Sequence, residues 1–184
     1  LYKSGLPSSD PKDLLDTKSM TKSKQGVWSI ELLGDQKGKY YTIQASIGGT
    51  PKAEVTDPYA KALGANGLRA QILDLAETNP RNWADDKSPA FLQKTDAVLY
   101  ELHVRDASIA TNSGIKQKGK FLGLTEKGTK NSFKQATGLD HIRELGVTHV
   151  HLLPSYDYYT TDETAKENLQ YNWGYDPLNY NVPE

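Results

Sequence analysis

The chain has 184 residues, 36% of them hydrophobic and 24% charged, with a formal net charge of -1 and no cysteine. That length suffices for one core or two small ones. The near-neutral balance gives no electrostatic reason to expect nucleic acid or an acidic membrane surface as a partner. Every apolar run falls short of a membrane span, and the absence of cysteine excludes disulfides and thiolate metal sites.

The chain opens on LYKS, which reads as the inside of a strand, and closes on NVPE, which reads as the inside of a loop. The expectation is a segment of a longer polypeptide. Residues 1 to about 60 read as β. In GVWSIELLGD, Trp28, Ile30 and Leu32 alternate with Ser29 and Glu31, giving one buried face. GDQKG (34–38) reads as a five-residue turn, and KYYTIQASI alternates again through Tyr41, Ile43, Ala45 and Ile47. Together they predict a hairpin of a β-sandwich-like module. TDPYAK and NPRNWADDKSP, punctuated by Pro, Asp and Asn, read as a tie-down and a linker, with AQILDL between them as a last short strand.

The pattern changes near Lys94. DAVLYELHVRD (96–106) is a β-rich run with a charged end. TGLDHIRELG (137–146) predicts a short helix. Thr137 stands at its cap, Asp140 at the capping-box position, Leu139, Ile142 and Leu145 on one face, and Gly146 at the stop. VTHVHLLP (147–154) is apolar on both faces, as a parallel strand covered on both sides requires. Strand, helix and strand predict a right-handed βαβ unit. Residues 110–130, polar and rich in Gly and Lys, read as a surface loop.

Six of the eleven tyrosines follow residue 155, and Trp173 lies among them in YNWGYDP (171–177). They come after the C-terminal end of the second strand, where ligands bind in open α/β sheets and barrels. An aromatic face covers the C–H groups of a pyranose while its hydroxyls turn toward Asp or Asn acceptors, and this heptapeptide supplies each part. The competing reading is a loop whose aromatics only plug a barrel mouth, and spacing alone favours neither.

His149 and His151 share a face of a strand and could grip a metal, but no third ligand lies nearby, so packing with hydrogen bonds is the expectation. Glu101, His103 and Arg105 share the other parity of the first strand, and such charge inside a barrel must be paired. His141 is expected on the solvent side of the helix. DYYTTDETAKEN (157–168) offers oxygen ligands at a spacing that matches no EF-hand. An ordinary polar loop is expected there, with structural calcium as the alternative and no other cofactor.

YNWGYDP resembles the signature of type I pullulanases, the starch-debranching branch of the alpha-amylase superfamily. VLYELHVRD resembles the first barrel strand of those enzymes, and GLDHIRELGVTHVHLLP their first helix and second strand. VTDPYAKAL and the hairpins before it resemble the end of their starch-binding sandwich. A Trp-Gly-Tyr core also occurs in isoamylases and glucan-branching enzymes, but the flanking Tyr-Asn and Asp-Pro favour pullulanase. Ala107 departs from the Phe common in the family, which weakens local packing at the strand end.

The resemblance implies a mixed fold. Residues 1–93 would be the C-terminal part of a starch-binding β-sandwich with its linker. Residues 94–184 would be the first βαβ portion and following loop of a (β/α)-barrel. The implied activity is hydrolysis of α-1,6-glucosidic branches in pullulan, amylopectin or related glucans, with retention. It uses an Asp nucleophile and a Glu acid/base from later barrel strands, so no catalytic residue is expected among these 184. By the same resemblance Tyr175 would be the stacking platform for the sugar at the cleavage point. Asp176 would hold the polar network, and Trp173 and Asn172 would shape the loop. The implied partners are an α-glucan and the remainder of the same enzyme. The alternatives are a non-catalytic glucan-binding protein and a branching or isoamylase-type enzyme.

Overall fold

The structure, a computed structural model, describes residues 1–165 and 170–184. The chain gathers into two compact units. The first takes in Leu1–Trp83, Tyr156–Asn172 and Asp176–Glu184, and the second Ala84–Ser155 and Trp173–Tyr175. Neither unit is one continuous stretch.

The first unit is built of short antiparallel pairs. Strands β1 (Thr21–Lys22) and β2 (Trp28–Ser29) pair with each other, as do β4 (Ile43–Ile47) and β5 (Thr50–Val55), while β3 (Tyr40–Tyr41) pairs with β6 (Ala70–Gln71). The predicted hairpin across residues 34–38 does not form. The stretch after Gly26 pairs back onto Thr21 and Lys22, and the strand after Tyr41 turns instead at Gly48 and Gly49, whose φ angles are 58° and 78°. Two consecutive positive φ angles are what a two-residue hairpin turn needs, and a Gly-Gly pair supplies them without steric cost. AQILDL contributes a strand of two residues, β6.

The buried centre of this unit is small: Ala60, Ala70 and Val182, with Tyr41 and Leu63 packed against them. Beside it lies a polar clamp. The Arg69 guanidinium donates to Asp13 Oδ2 at 2.7 Å and to the Ser4 carbonyl at 2.7 Å, and lies 3.6 Å from the centre of the Tyr2 ring. The Tyr2 hydroxyl donates to Glu54 Oε2 at 2.5 Å. A buried charge must be paired and hydrogen-bonded, and here one arginine meets that need while fastening three separate stretches of chain.

In the second unit, β7 (Leu99–Leu102) and β8 (His149–Leu152) run parallel, Leu99 opposite His149 and Leu102 opposite Leu152. The connection between them carries α1 (Gly138–Glu144). The expected strand–helix–strand unit is present, but its first strand is shorter than the predicted run. Beyond Leu102 the chain turns, with the Ala107 N–H donating to the His103 carbonyl at 3.0 Å.

The helix also begins differently from the capping-box expectation. Thr137 has the extended backbone of a cap, but its hydroxyl donates to the Ser113 carbonyl at 2.6 Å. Asp140 accepts from the Gly128 N–H at 2.5 Å. Both side chains thus fasten the preceding loop to the helix. On the expected apolar face Ile142 is buried, whereas Leu145 is half exposed. Gly146 follows with φ 75°, as expected for the stop. Nor is the segment 110–130 a plain surface loop. Ile115 is only 3% exposed, Ser113 and Thr129 are buried, and Glu126 accepts from the Lys116 and Gln117 N–H groups.

Candidate glucan-binding loop

Strand β9 (Tyr156–Tyr158) pairs antiparallel with β10 (Pro177–Pro183), Tyr158 opposite Pro177. This pairing positions the first half of the candidate site. It carries the residues just after Tyr158 alongside those just before Pro177, so Thr160 meets Asp176. The Thr160 N–H and hydroxyl donate to Asp176 Oδ2, at 3.1 and 2.6 Å. The Asn172 side-chain amide donates to the Thr160 hydroxyl at 2.9 Å, and the Tyr159 N–H to the Asp176 carbonyl at 2.9 Å. The Thr160 hydroxyl is the chief cause that holds the Asp176 carboxyl below the usual carboxylate range. Asp176 Oδ1 is shut off from solvent and has no hydrogen-bonding partner among the described residues.

The loop before Asn172 is fastened to the β-rich part of the same unit. Asn66, at φ 57°, donates its N–H to Glu163 Oε2 at 2.5 Å and its side-chain amide to Asp162 Oδ1 at 3.0 Å, and accepts from the Glu163 N–H at 2.8 Å. Under the ribbon, Asp157 is buried and accepts from Asn179 Nδ2 at 2.7 Å. Burial pushes its carboxyl up. Burial also pushes Glu184 up to about 7, against the favourable hydrogen bond from the Tyr158 N–H and with the Glu163, Asp157 and Asp176 charges adding to the rise.

In the second unit, Trp173 and Tyr175 are 62% and 68% exposed. Between them Gly174 has φ 89°, and a Cβ there would overlap the Pro154 carbonyl oxygen. Only glycine fits. Of the four expected residues, then, Asn172 and Asp176 are joined through Thr160, while Trp173 and Tyr175 belong to the other unit. Asn66 carried no signal in the sequence, and Thr160 and Asp157 stood out only as members of a polar run, because strand pairing and contacts nearly a hundred residues apart create their roles.

The histidines have other partners. His151 Nδ1 lies 3.3 Å from Glu101 Oε2, and His149 Nδ1 lies 2.8 Å from the Thr148 hydroxyl, its ring edge-on to Phe91. Arg105 pairs with Asp106 at 3.0 Å. His141 is exposed on α1. Among the described residues no three His, Cys, Asp or Glu side chains come together as a metal site. Within 157–168, Asp162 accepts from Thr164 and Asn66, and residues 166–168 lie outside the described residues. A groove of about 440 Å³ in the second unit is lined by Thr129, Lys130, Asp140, Arg143 and Glu144 among others, and by none of the four expected residues.

No family model matches the chain. Individual proteins do. The pullulanase of Bacillus subtilis (strain 168) is 40% identical over 168 residues, which cover 91% of this chain and 23% of that protein. The chloroplastic pullulanase 1 of Arabidopsis thaliana is 31% identical over 89% of the chain and 20% of its own length. Among solved structures, the apo pullulanase of Paenibacillus barengoltzii superposes on the whole chain with a TM-score of 0.89 at 49% identity, over 27% of its own length. That of Bacillus acidopullulyticus does so with a TM-score of 0.88 at 42% identity, over 22%. The Paenibacillus enzyme has also been crystallised with maltohexaose and α-cyclodextrin, and a mutant of it with maltotriose. Pullulanases are thus similar to this chain over nearly all of it, and the chain spans about a quarter of the length of the relatives it matches.

Proposed function

We propose that this chain is the glucan-holding part of a glycoside hydrolase that cleaves α-1,6-glucosidic branch linkages in pullulan, amylopectin or a related glucan. The observation that carries the proposal is the 49% identity and TM-score of 0.89 to a pullulanase of which maltooligosaccharide complexes exist. Residues 1–93 would belong to a starch-binding β-sandwich with its linker, and residues 94–184 to the opening of the catalytic barrel. Tyr175 stacks under the sugar at the cleavage point, Asp176 holds the polar network beside it, and Trp173 and Asn172 shape the loop. The reaction proceeds with retention. It requires a carboxylate nucleophile and a carboxylic acid on opposite sides of the bond, about 5 Å apart, and both come from outside these 184 residues. That chemistry calls for no metal or organic cofactor, and structural calcium stays the alternative for the polar stretch 157–168.

The exposed ring of Tyr175 makes the test clean. Stacking on a distorted sugar contributes most near the transition state, whereas truncating an exposed side chain changes stability by about 0.5 kcal/mol or less. In the intact protein, Tyr175→Ala is expected to lower kcat/KM on pullulan by at least about ten-fold with little change in Tm. Wild-type turnover by a well-folded variant rules out the platform role.

A further inference from the structure

We propose that Thr160 is the positioning residue of the loop, orienting both Asn172 and Asp176 through one hydroxyl group; the proposal rests on the glucan-binding reading above. The geometry carries it. A threonine hydroxyl has one proton to donate and lone pairs to accept with. Here the proton goes to Asp176 Oδ2 at 2.6 Å, and a lone pair receives the Asn172 amide at 2.9 Å. The Thr160 N–H donates to the same Oδ2 at 3.1 Å. Two donors from one residue therefore occupy one oxygen of the carboxylate and fix its plane. The other oxygen, Oδ1, is left buried and unpartnered among the described residues. A buried acceptor without a donor is costly unless something fills it. Because Oδ1 is shut off from solvent, the carboxylate serves the loop by holding its polar network, and Thr160 sets the plane in which it does so.

Asn172 and Asp176 stand on either side of Trp173–Tyr175 in the chain. Asn66 holds the strand end that carries Thr160, through its bonds to Asp162 and Glu163. Thr160 itself is exposed, so changing it leaves no cavity. It touches no reacting atom in this reading and acts only through its two neighbours.

The experiment compares Thr160→Val, Thr160→Ser and Asp176→Asn in the intact protein, by calorimetric binding of maltotriose and kcat/KM on pullulan. Thr160→Val keeps the branched shape and removes the hydroxyl. It is expected to weaken maltotriose binding about ten-fold, the scale of one charge-assisted hydrogen bond. Thr160→Ser restores the hydroxyl and is expected to bind within about two-fold of the wild type, a rescue that a purely steric role does not produce. Wild-type binding by Thr160→Val beside an impaired Asp176→Asn overturns the positioning role alone. Equal impairment of the Ser and Val variants, or loss of folding in both, overturns it too, since the hydroxyl is then not what matters. Wild-type behaviour of Asp176→Asn instead overturns the reading of the loop as the glucan site.

Discussion

Gly174 answers why a glycine separates two aromatics. At φ 89°, with the Pro154 carbonyl where a Cβ would stand, the position admits no side chain, and the loop passes close to the end of the strand before it. Gly174→Ala carries the left-handed backbone cost of about 1–2 kcal/mol together with an overlap that only movement of the loop relieves. The expected outcome is a variant whose chemical-denaturation midpoint falls and whose glucan affinity falls further than that of Asn172→Ala. A variant equal to wild type in both measurements shows that the loop does not need this backbone. Gly174, Trp173 and Tyr175 stood out in the sequence as candidates because their chemistry is carried by residue type at fixed spacing. Thr160 did not. Threonine is common, and its two partners sit 12 and 16 positions away, so only the β9–β10 pairing makes it special.

Among the elements, periodicity located strands better than it paired them. The apolar alternation in 39–47 was sound as a β signal, whereas in 27–33 only Trp28 and Ser29 are strand and the expected buried face is open, with Trp28 59% exposed; the Gly-Gly pair at 48–49 is the stronger turn, and it decided which strands meet. The helix was placed within a residue at each end, while its cap side chains were claimed by the preceding loop. What joins the short pairs of the first unit is the clamp of Arg69 and Asp13, which neither alternation nor turn chemistry announces. The hydrogen bond from Arg69 holds the Asp13 carboxyl below its ordinary 3.8. A depressed carboxylate stabilises the fold fully above its unfolded pKa, and that contribution disappears as pH falls through the folded value. Asp13→Asn in the intact protein is therefore expected to lower Tm by several degrees at neutral pH, because it leaves a buried guanidinium without its counter-charge. The gap between the two proteins should narrow below pH 4. A gap that stays constant from pH 7 to pH 3 rules out the ion pair as its cause.

For the molecule as a whole, the decisive feature is how much apolar surface the parallel pair leaves uncovered. Leu99 is 70% exposed on one face of the pair, and Val98, Val150 and Leu152, on the other face, are each more than a third exposed. Parallel strands occur almost only with both faces covered, and a two-stranded sheet is marginal by itself. Among the described residues, β7 and β8 have no partner other than each other, so each also offers an unpaired edge. Such a surface associates with whatever apolar partner is at hand. Residues 1–184 produced alone are therefore expected to bind a hydrophobic dye, to elute as a mixture of assemblies rather than one monomer, and to leave pullulan intact. Leu99→Asp tests the cause from both sides. It should make the isolated segment more soluble, because it places a charge on the open face. In the intact protein it should lower Tm by several degrees or prevent folding, because the same face is then buried and the charge unpaired. A monodisperse segment without dye binding, or an intact protein indifferent to Leu99→Asp, shows that this face needs no cover.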